Sequence, residues 1–222
     1  MSKRPKIAIK VAECIAEWTE VETGLGMFLG FLLHTKADTA IAMHTSLENR
    51  AAQLRMLEAA AKAELPSDHY DVISMLHTVH IRPAMRDRDK LAHWCWGHSP
   101  ELDDALLLRA PSEKILHGFR ANELGPYPGS TAAIRTNYDE VFVIREDDLI
   151  RMSDRFTNTK KLVMHAASSV WVKNPPQARA EFLRLLATEP GVQAALNRLA
   201  RDRQKTQEAQ PPSPPQEPNG EA

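Results

Sequence analysis

With 222 residues, 43% of them hydrophobic and 26% charged, the chain is long enough to bury a proper core and reads as globular rather than fibrous. Its 28 Lys and Arg against 29 Asp and Glu give a formal charge of −1, which excludes a global nucleic-acid footprint, so any RNA or DNA contact must come from a local basic patch. Two cysteines far apart in sequence, Cys14 and Cys95, exclude a disulfide framework and suit a reducing compartment.

The start, Met1-Ser2-Lys3-Arg4-Pro5-Lys6, is basic, but Lys10 and Glu13 interrupt the apolar stretch that a signal peptide needs. The apolar run Leu25 to Leu33 is too short to span a bilayer. No membrane contact and a cytoplasmic location are expected. Over residues 6–34, Val11, Trp18, Leu25 and Leu32 fall seven apart with Cys14, Val21 and Phe28 between them, the buried seam of a long helix. Gly24, Gly26 and Gly30 lie beside that seam and are expected to admit a neighbouring helix rather than end this one.

A second helix is expected over about 38–65, with Leu47, Leu54 and Ala61 on one stripe, closed by Pro66-Ser67-Asp68. A third, about 68–93, contains Pro83, which should kink it. From His98 to Asn137, Pro and Gly recur and break any helix, while Ala105 to Arg109 and Val141 to Ile144 are β-type runs that can pair as a hairpin or meander. Helix resumes at Glu146-Asp147-Asp148, three acids suited to a helix N-terminus. Leu149, Phe156, Val163 and Val170 then repeat at seven, so four long helices are available for a bundle. Asn174-Pro175-Pro176 ends the last of them. Shorter helices follow near 177–188 and 191–205, and the Pro- and Gln-rich tail after Gln207 should be disordered. The expected organisation is a bundle over 1–172 with a β-containing excursion at 100–145, C-terminal helices over 173–207, and a tail over 208–222.

The chemistry concentrates in Arg86-Asp87-Arg88-Asp89-Lys90-Leu91-Ala92-His93, near the end of the third helix. An Arg is charged at any working pH and a His can take or give a proton near neutrality, the minimum equipment for cleaving a phosphodiester without a metal. On a regular helix Arg88 and His93 lie roughly 140° apart, whereas Arg86 and His93 nearly eclipse. A helix ending near His93 would remove that objection to Arg88.

Arg88-Asp89-Lys90-Leu91-Ala92-His93, followed by Trp94 and Gly97, resembles the R-x4-6-H signature of the HEPN superfamily. The long first helix and the helix–β-segment–helix order also resemble uncharacterised bacterial members, over about residues 10–172. The resemblance implies a mainly α, HEPN-like bundle and a metal-independent endoribonuclease of the toxin, defence or RNA-processing kind, active as a homodimer with both motifs in one cleft. It implies His93 as general acid or base, Arg88 on the phosphate, and Asp89 at the family's polar position, where Asn is commoner. Arg86 would support as a second cation; Trp94 and Trp96 can stack bases, although large apolar side chains beside a bundle are more often core or dimer interface. An antitoxin or other regulatory protein partner belongs to the same expectation. The alternative is a non-catalytic HEPN-like module that binds a protein or nucleotide through that cleft.

His93, Cys95 and His98 form H-x-C-x2-H, with His77 and His80 upstream, but no second Cys/His pair has finger spacing. These read as half-buried histidines at a helix end, and neither metal nor cofactor is expected. Glu17, Glu20 and Glu22 read as a partly exposed flank of the first helix, although Glu22 lies near enough to the seam to pair with the Arg cluster.

Overall fold

The computed structural model describes residues 4–102, 104–109 and 141–209, which are mainly helical with one small sheet. No described helix is long and apolar enough to cross a membrane. Helix α1 (Pro5–Leu32) starts on a proline, whose fixed φ suits a first turn, and buries Val11, Cys14, Trp18, Val21, Leu25, Phe28 and Leu32. Helix α6 (Glu146–Val170) buries Leu149, Phe156, Val163 and Ala166 against it, so the two heptad seams face one another. Trp18 meets Phe156 edge-on at 5.6 Å, and both are fully buried. Burying each such side chain stabilises the fold by about 1.5–3 kcal/mol. Close approach along α1 depends on glycine. A Cβ at Gly24 would stand 3.1 Å from Val163 Cγ1, and one at Gly26 only 2.8 Å from Ile41 Cγ1.

The expected single helix over 38–65 is two, α2 (Ala37–Ser46) and α3 (Arg50–Glu64). Leu47, placed on the helical stripe by its spacing, instead has φ −79° and ψ 112°. Local polar chemistry won. The Ser46 hydroxyl bonds the Met43 carbonyl at 2.8 Å, and the Asn49 side chain accepts the Ala51 N–H at 2.9 Å, which caps a fresh N-terminus.

The third helix is also divided. α4 (Ser67–Leu76) passes through a π-turn (His77–Ile81) into α5 (Arg82–His93). The Arg82 N–H reaches back five residues to the His77 carbonyl. Pro83 has no N–H to give and its ring crowds the carbonyl four residues earlier, and the turn before it is widened.

Three strands follow: β1 (Cys95–Gly97), β2 (Ala105–Arg109) and β3 (Val141–Arg145), antiparallel in the order β1-β2-β3. The two β-type runs do pair, and β1, not expected from the sequence, extends the sheet with Trp96 opposite Leu108. Leu106, Leu108 and Ile144 carry the sheet into the helical core. The α7 (Pro176–Ala187) and α8 (Pro190–Ala209) helices close over α4, α6 and the π-turn, and Leu186 and Val192 join the same core. Glu189 accepts the Val192 N–H and pairs with His80, both at 2.8 Å, which pins α8 to the π-turn. The tail over 210–222 and most of the excursion, 110–140, lie outside the described residues.

Candidate functional site

Helix α5 turns Ala84, Asp87 and Leu91 inward and leaves Arg86 and His93 exposed. Asp87 anchors the inner face through an ion pair with Arg155 of α6, and Lys90 adds a contact at 3.9 Å. The helix stops at His93: Trp94 is extended, with φ −82° and ψ 154°. Two groups serve carbonyls that this stop would otherwise orphan. The Trp94 N–H donates to Lys90 at 3.1 Å, and the Trp96 indole N–H donates to Leu91 at 3.2 Å.

That ending decides which arginine meets the histidine. Arg88 Nη1 stands 3.0 Å from His93 Nε2, although five residues on a continuing helix would separate the two side chains. A guanidinium only donates, so His93 accepts at Nε2 and the ring proton sits on Nδ1. Arg86, on the exposed side of α5, makes no ion pair among the described residues.

Behind this pair runs a chain of charges that spans three helices. Arg50, in the first turn of α3, gives Nη1 to Asp89 at 2.7 Å and Nη2 to Glu22 of α1 at 3.1 Å. Asp89 lies in turn 3.5 Å from Arg88. The Arg88 side chain is only 16% exposed, and its Nε is buried without a hydrogen-bond partner. Burial, then the charge of Arg50, pulls the Arg88 pKa below its ordinary value, while Glu22 and Asp89 hold it up. His44 of α2 is fully buried, with neither ring nitrogen bonded; burial lowers its pKa and Glu22 opposes that. Within residues 86–93, Arg86, Arg88 and Lys90 outnumber Asp87 and Asp89 by one.

Beside it, Trp94 packs on Phe142 of β3 at 5.4 Å, and Lys90 Nζ sits 5.8 Å from the Trp94 ring and 5.5 Å from Phe142. Phe142 is 45% exposed, so an aromatic face lies open next to the Arg–His pair. Trp96 is half-buried against the core and committed to the helix end.

The structure therefore brings Arg88, Asp89 and His93 together, with Trp94 adjacent, and leaves Arg86 apart. Arg50 and Phe142 are the members that the sequence did not reveal, and Glu22, read there as a flank, joins the motif through Arg50. No group of three or more His, Cys, Asp or Glu among the described residues is arranged to hold a metal. His77 faces Glu58 and His80 faces Glu189, so the upstream histidines belong to other contacts. Comparison with protein-family models, curated proteins and solved structures finds no match to this chain.

Proposed function

We propose that this protein is a metal-independent endoribonuclease with an HEPN-like bundle, working as a homodimer in the cytoplasm, with His93 moving protons and Arg88 holding the scissile phosphate. The observation that carries the proposal is the 3.0 Å approach of Arg88 Nη1 to His93 Nε2 at an exposed helix end. Binding of RNA draws Arg88 from His93 to a phosphate oxygen and frees Nε2. His93 then takes the proton of a ribose 2′-OH, the 2′-oxygen bonds to phosphorus, and the 5′-oxygen leaves, taking up a proton. The products are a 2′,3′-cyclic phosphate and a 5′-hydroxyl. The second histidine of a two-fold dimer is suited to protonate the leaving oxygen. Trp94 and Phe142 offer a surface on which an unpaired base stacks, with Lys90 close by for the backbone.

Single-stranded RNA incubated with the purified protein in EDTA tests this. Cleavage with a cyclic phosphate end is expected, with a loss of about 10²-fold in His93→Ala and a smaller loss in Arg86→Ala than in Arg88→Ala. Each variant must keep its helical signal and mass in solution. Unchanged cleavage by folded His93→Ala, or a monomer at micromolar concentration, overturns the mechanism.

One observation favours a second reading, a module that binds a protein or nucleotide without cutting. Asp89 is already paired with Arg50, and the Nε2 lone pair of His93 with Arg88, so both groups are engaged before any substrate arrives. Wild-type protein that leaves every RNA intact while binding RNA, a nucleotide or a regulatory protein such as an antitoxin establishes that reading.

A further inference from the structure

At the end of the bundle where α1 stops, α3 passes to α4 and α6 passes to α7, the helices line a half-open cavity of about 440 Å³. That is within the range of about 300–1,000 Å³ typical of small-molecule sites. It is not the Arg–His site: Arg50 and Glu64 begin and end α3, which puts the two regions about 21 Å apart along that helix at ~1.5 Å per residue. Phe31, Leu65 and Leu183 give the cavity an apolar wall, and His34, Glu64, His69 and Arg179 bring polar groups to it.

Two features of this wall are unexplained by folding. Arg179 lies in the first turn of α7, its Nε is buried without a hydrogen-bond partner, and its side chain makes no ion pair among the described residues. The buried Nε is a donor that the empty protein leaves unbonded, and an acceptor in the cavity would remove that cost. The second feature is His34, which has φ 50° and is the one described residue other than glycine with positive φ. It sits where α1 ends in a Schellman turn: the His34 N–H bonds Phe31 at 3.4 Å and the Thr35 N–H bonds Gly30 at 3.0 Å. Glycine fits that position best. A histidine there brings an imidazole to the cavity at a backbone cost that glycine would avoid.

The charges set the ligand. Glu64 and Arg179 are the formally charged groups on the wall, and no carboxylate lies within ion-pair distance of Arg179 among the described residues. The single unpaired guanidinium offers a place for one carboxylate. A phosphate dianion would set its second charge beside Glu64. We infer that this cavity binds a small monocarboxylate with an apolar body, its carboxylate on Arg179 and its body on Phe31, Leu65 and Leu183. This stands whether or not Arg88 and His93 cut RNA.

Calorimetric titration of the full chain with octanoate, 4-phenylbutyrate and indole-3-acetate tests the inference, with octanol, octylamine and octyl phosphate as comparisons. Saturable binding of at least one carboxylate is expected, one molecule per chain, at least tenfold tighter than octanol or octylamine. Arg179→Gln should weaken it at least tenfold at unchanged helical signal, while Arg88→Ala leaves it unaltered. Ala180→Trp, on the exposed side of α7, should block the cavity and abolish binding independently. No saturable carboxylate binding in the low millimolar range overturns the inference. So does binding that survives both the Arg179 and the Ala180 variants. Tighter binding of octyl phosphate overturns the assignment to a monoanion.

Discussion

Arg50 and Asp89, thirty-nine residues apart in sequence, are joined by a 2.7 Å hydrogen-bonded ion pair, and the same guanidinium holds Glu22. One side chain thereby ties α1, α3 and α5 together and fixes the acid beside Arg88. The Arg50 side chain is 21% exposed and Asp89 39%, so solvent screens part of the attraction. Arg50→Ala leaves Glu22 without its cation and Asp89 with Arg88 alone at 3.5 Å, and the expected loss of stability is about 1–2 kcal/mol. A double-mutant cycle with Asp89→Ala should show a coupling of about 0.5–1.5 kcal/mol in denaturant midpoints. Strict additivity would mean that the clamp does not hold the motif.

At Gly26 the α1 backbone touches α2. An added Cβ would stand 2.8 Å from Ile41 Cγ1 and 3.0 Å from Ile41 Cα, and the second of these is backbone that cannot rotate away. Gly26→Ala gains up to ~1 kcal/mol in helix propensity but must push α2 outward, an overpacking cost of about 1–3 kcal/mol. A net destabilisation is expected. Gly24→Ala meets only side-chain atoms of Val163 and Met164, the nearest at 3.1 Å, and should be the milder of the two. Urea midpoints for both variants check the ranking, and an Ala at 26 that stabilises would show α2 to be loosely seated.

The two long seams were legible because seven-residue spacing needs no tertiary information: Trp18, Phe28, Phe156 and Val163 all lie in the core. The β2 strand matches its run, Ala105 to Arg109, residue for residue. The break at Leu47 was masked because a leucine happens to fall on the helical stripe there, though Ser46 and Asn49 carried the competing signal. Pro83 signalled a disturbance, but the widened turn lies upstream, where the missing donor is felt. In the site, Arg88, Asp89 and His93 are neighbours in sequence and could be read as a motif. Arg50 and Phe142 reach it only through the packing of α3 and β3, and no local pattern marks either residue.

Acid should loosen the fold through its buried histidines. Burial lowers the pKa of His44 and of His77 below 6.5; Arg82 lowers His77 further, while Glu22 and Glu58 act in the opposite direction. His165 is lowered too, by burial and Lys161. The unfolded chain therefore binds protons at these sites before the folded chain does. Their contribution is complete above the ordinary value of 6.5 and is lost as pH falls below it towards the folded values. Each group can add a slope of at most about 1.4 kcal/mol per pH unit in that window. Denaturant midpoints should fall as pH is lowered from neutrality, and His44→Leu and His77→Leu should each flatten part of the decline. A decline unchanged in the double variant would place the acid sensitivity in other groups.

The two thiols should separate cleanly. Cys14 is wholly buried under the Trp18 seam, and its Sγ donates to the Leu149 carbonyl at 3.5 Å. Burial, then the charge of Glu17, pushes its pKa up to about 11, so near neutrality it is almost entirely the unreactive thiol. Cys95 is exposed on β1, just past the motif. Titration of native protein at about pH 8 with an aromatic disulfide reagent should release one equivalent quickly. The second should appear only with global unfolding, at a rate that follows loss of helical signal in denaturant. Cys95→Ser should abolish the fast phase and leave the slow one intact, whereas a fast thiol surviving in that variant would show that α1 and α6 part easily at Leu149. Because Cys95 lies two residues from His93, its modification also reports on access to the motif: bound RNA should slow the fast phase, and RNA that leaves it unchanged would place the binding surface elsewhere.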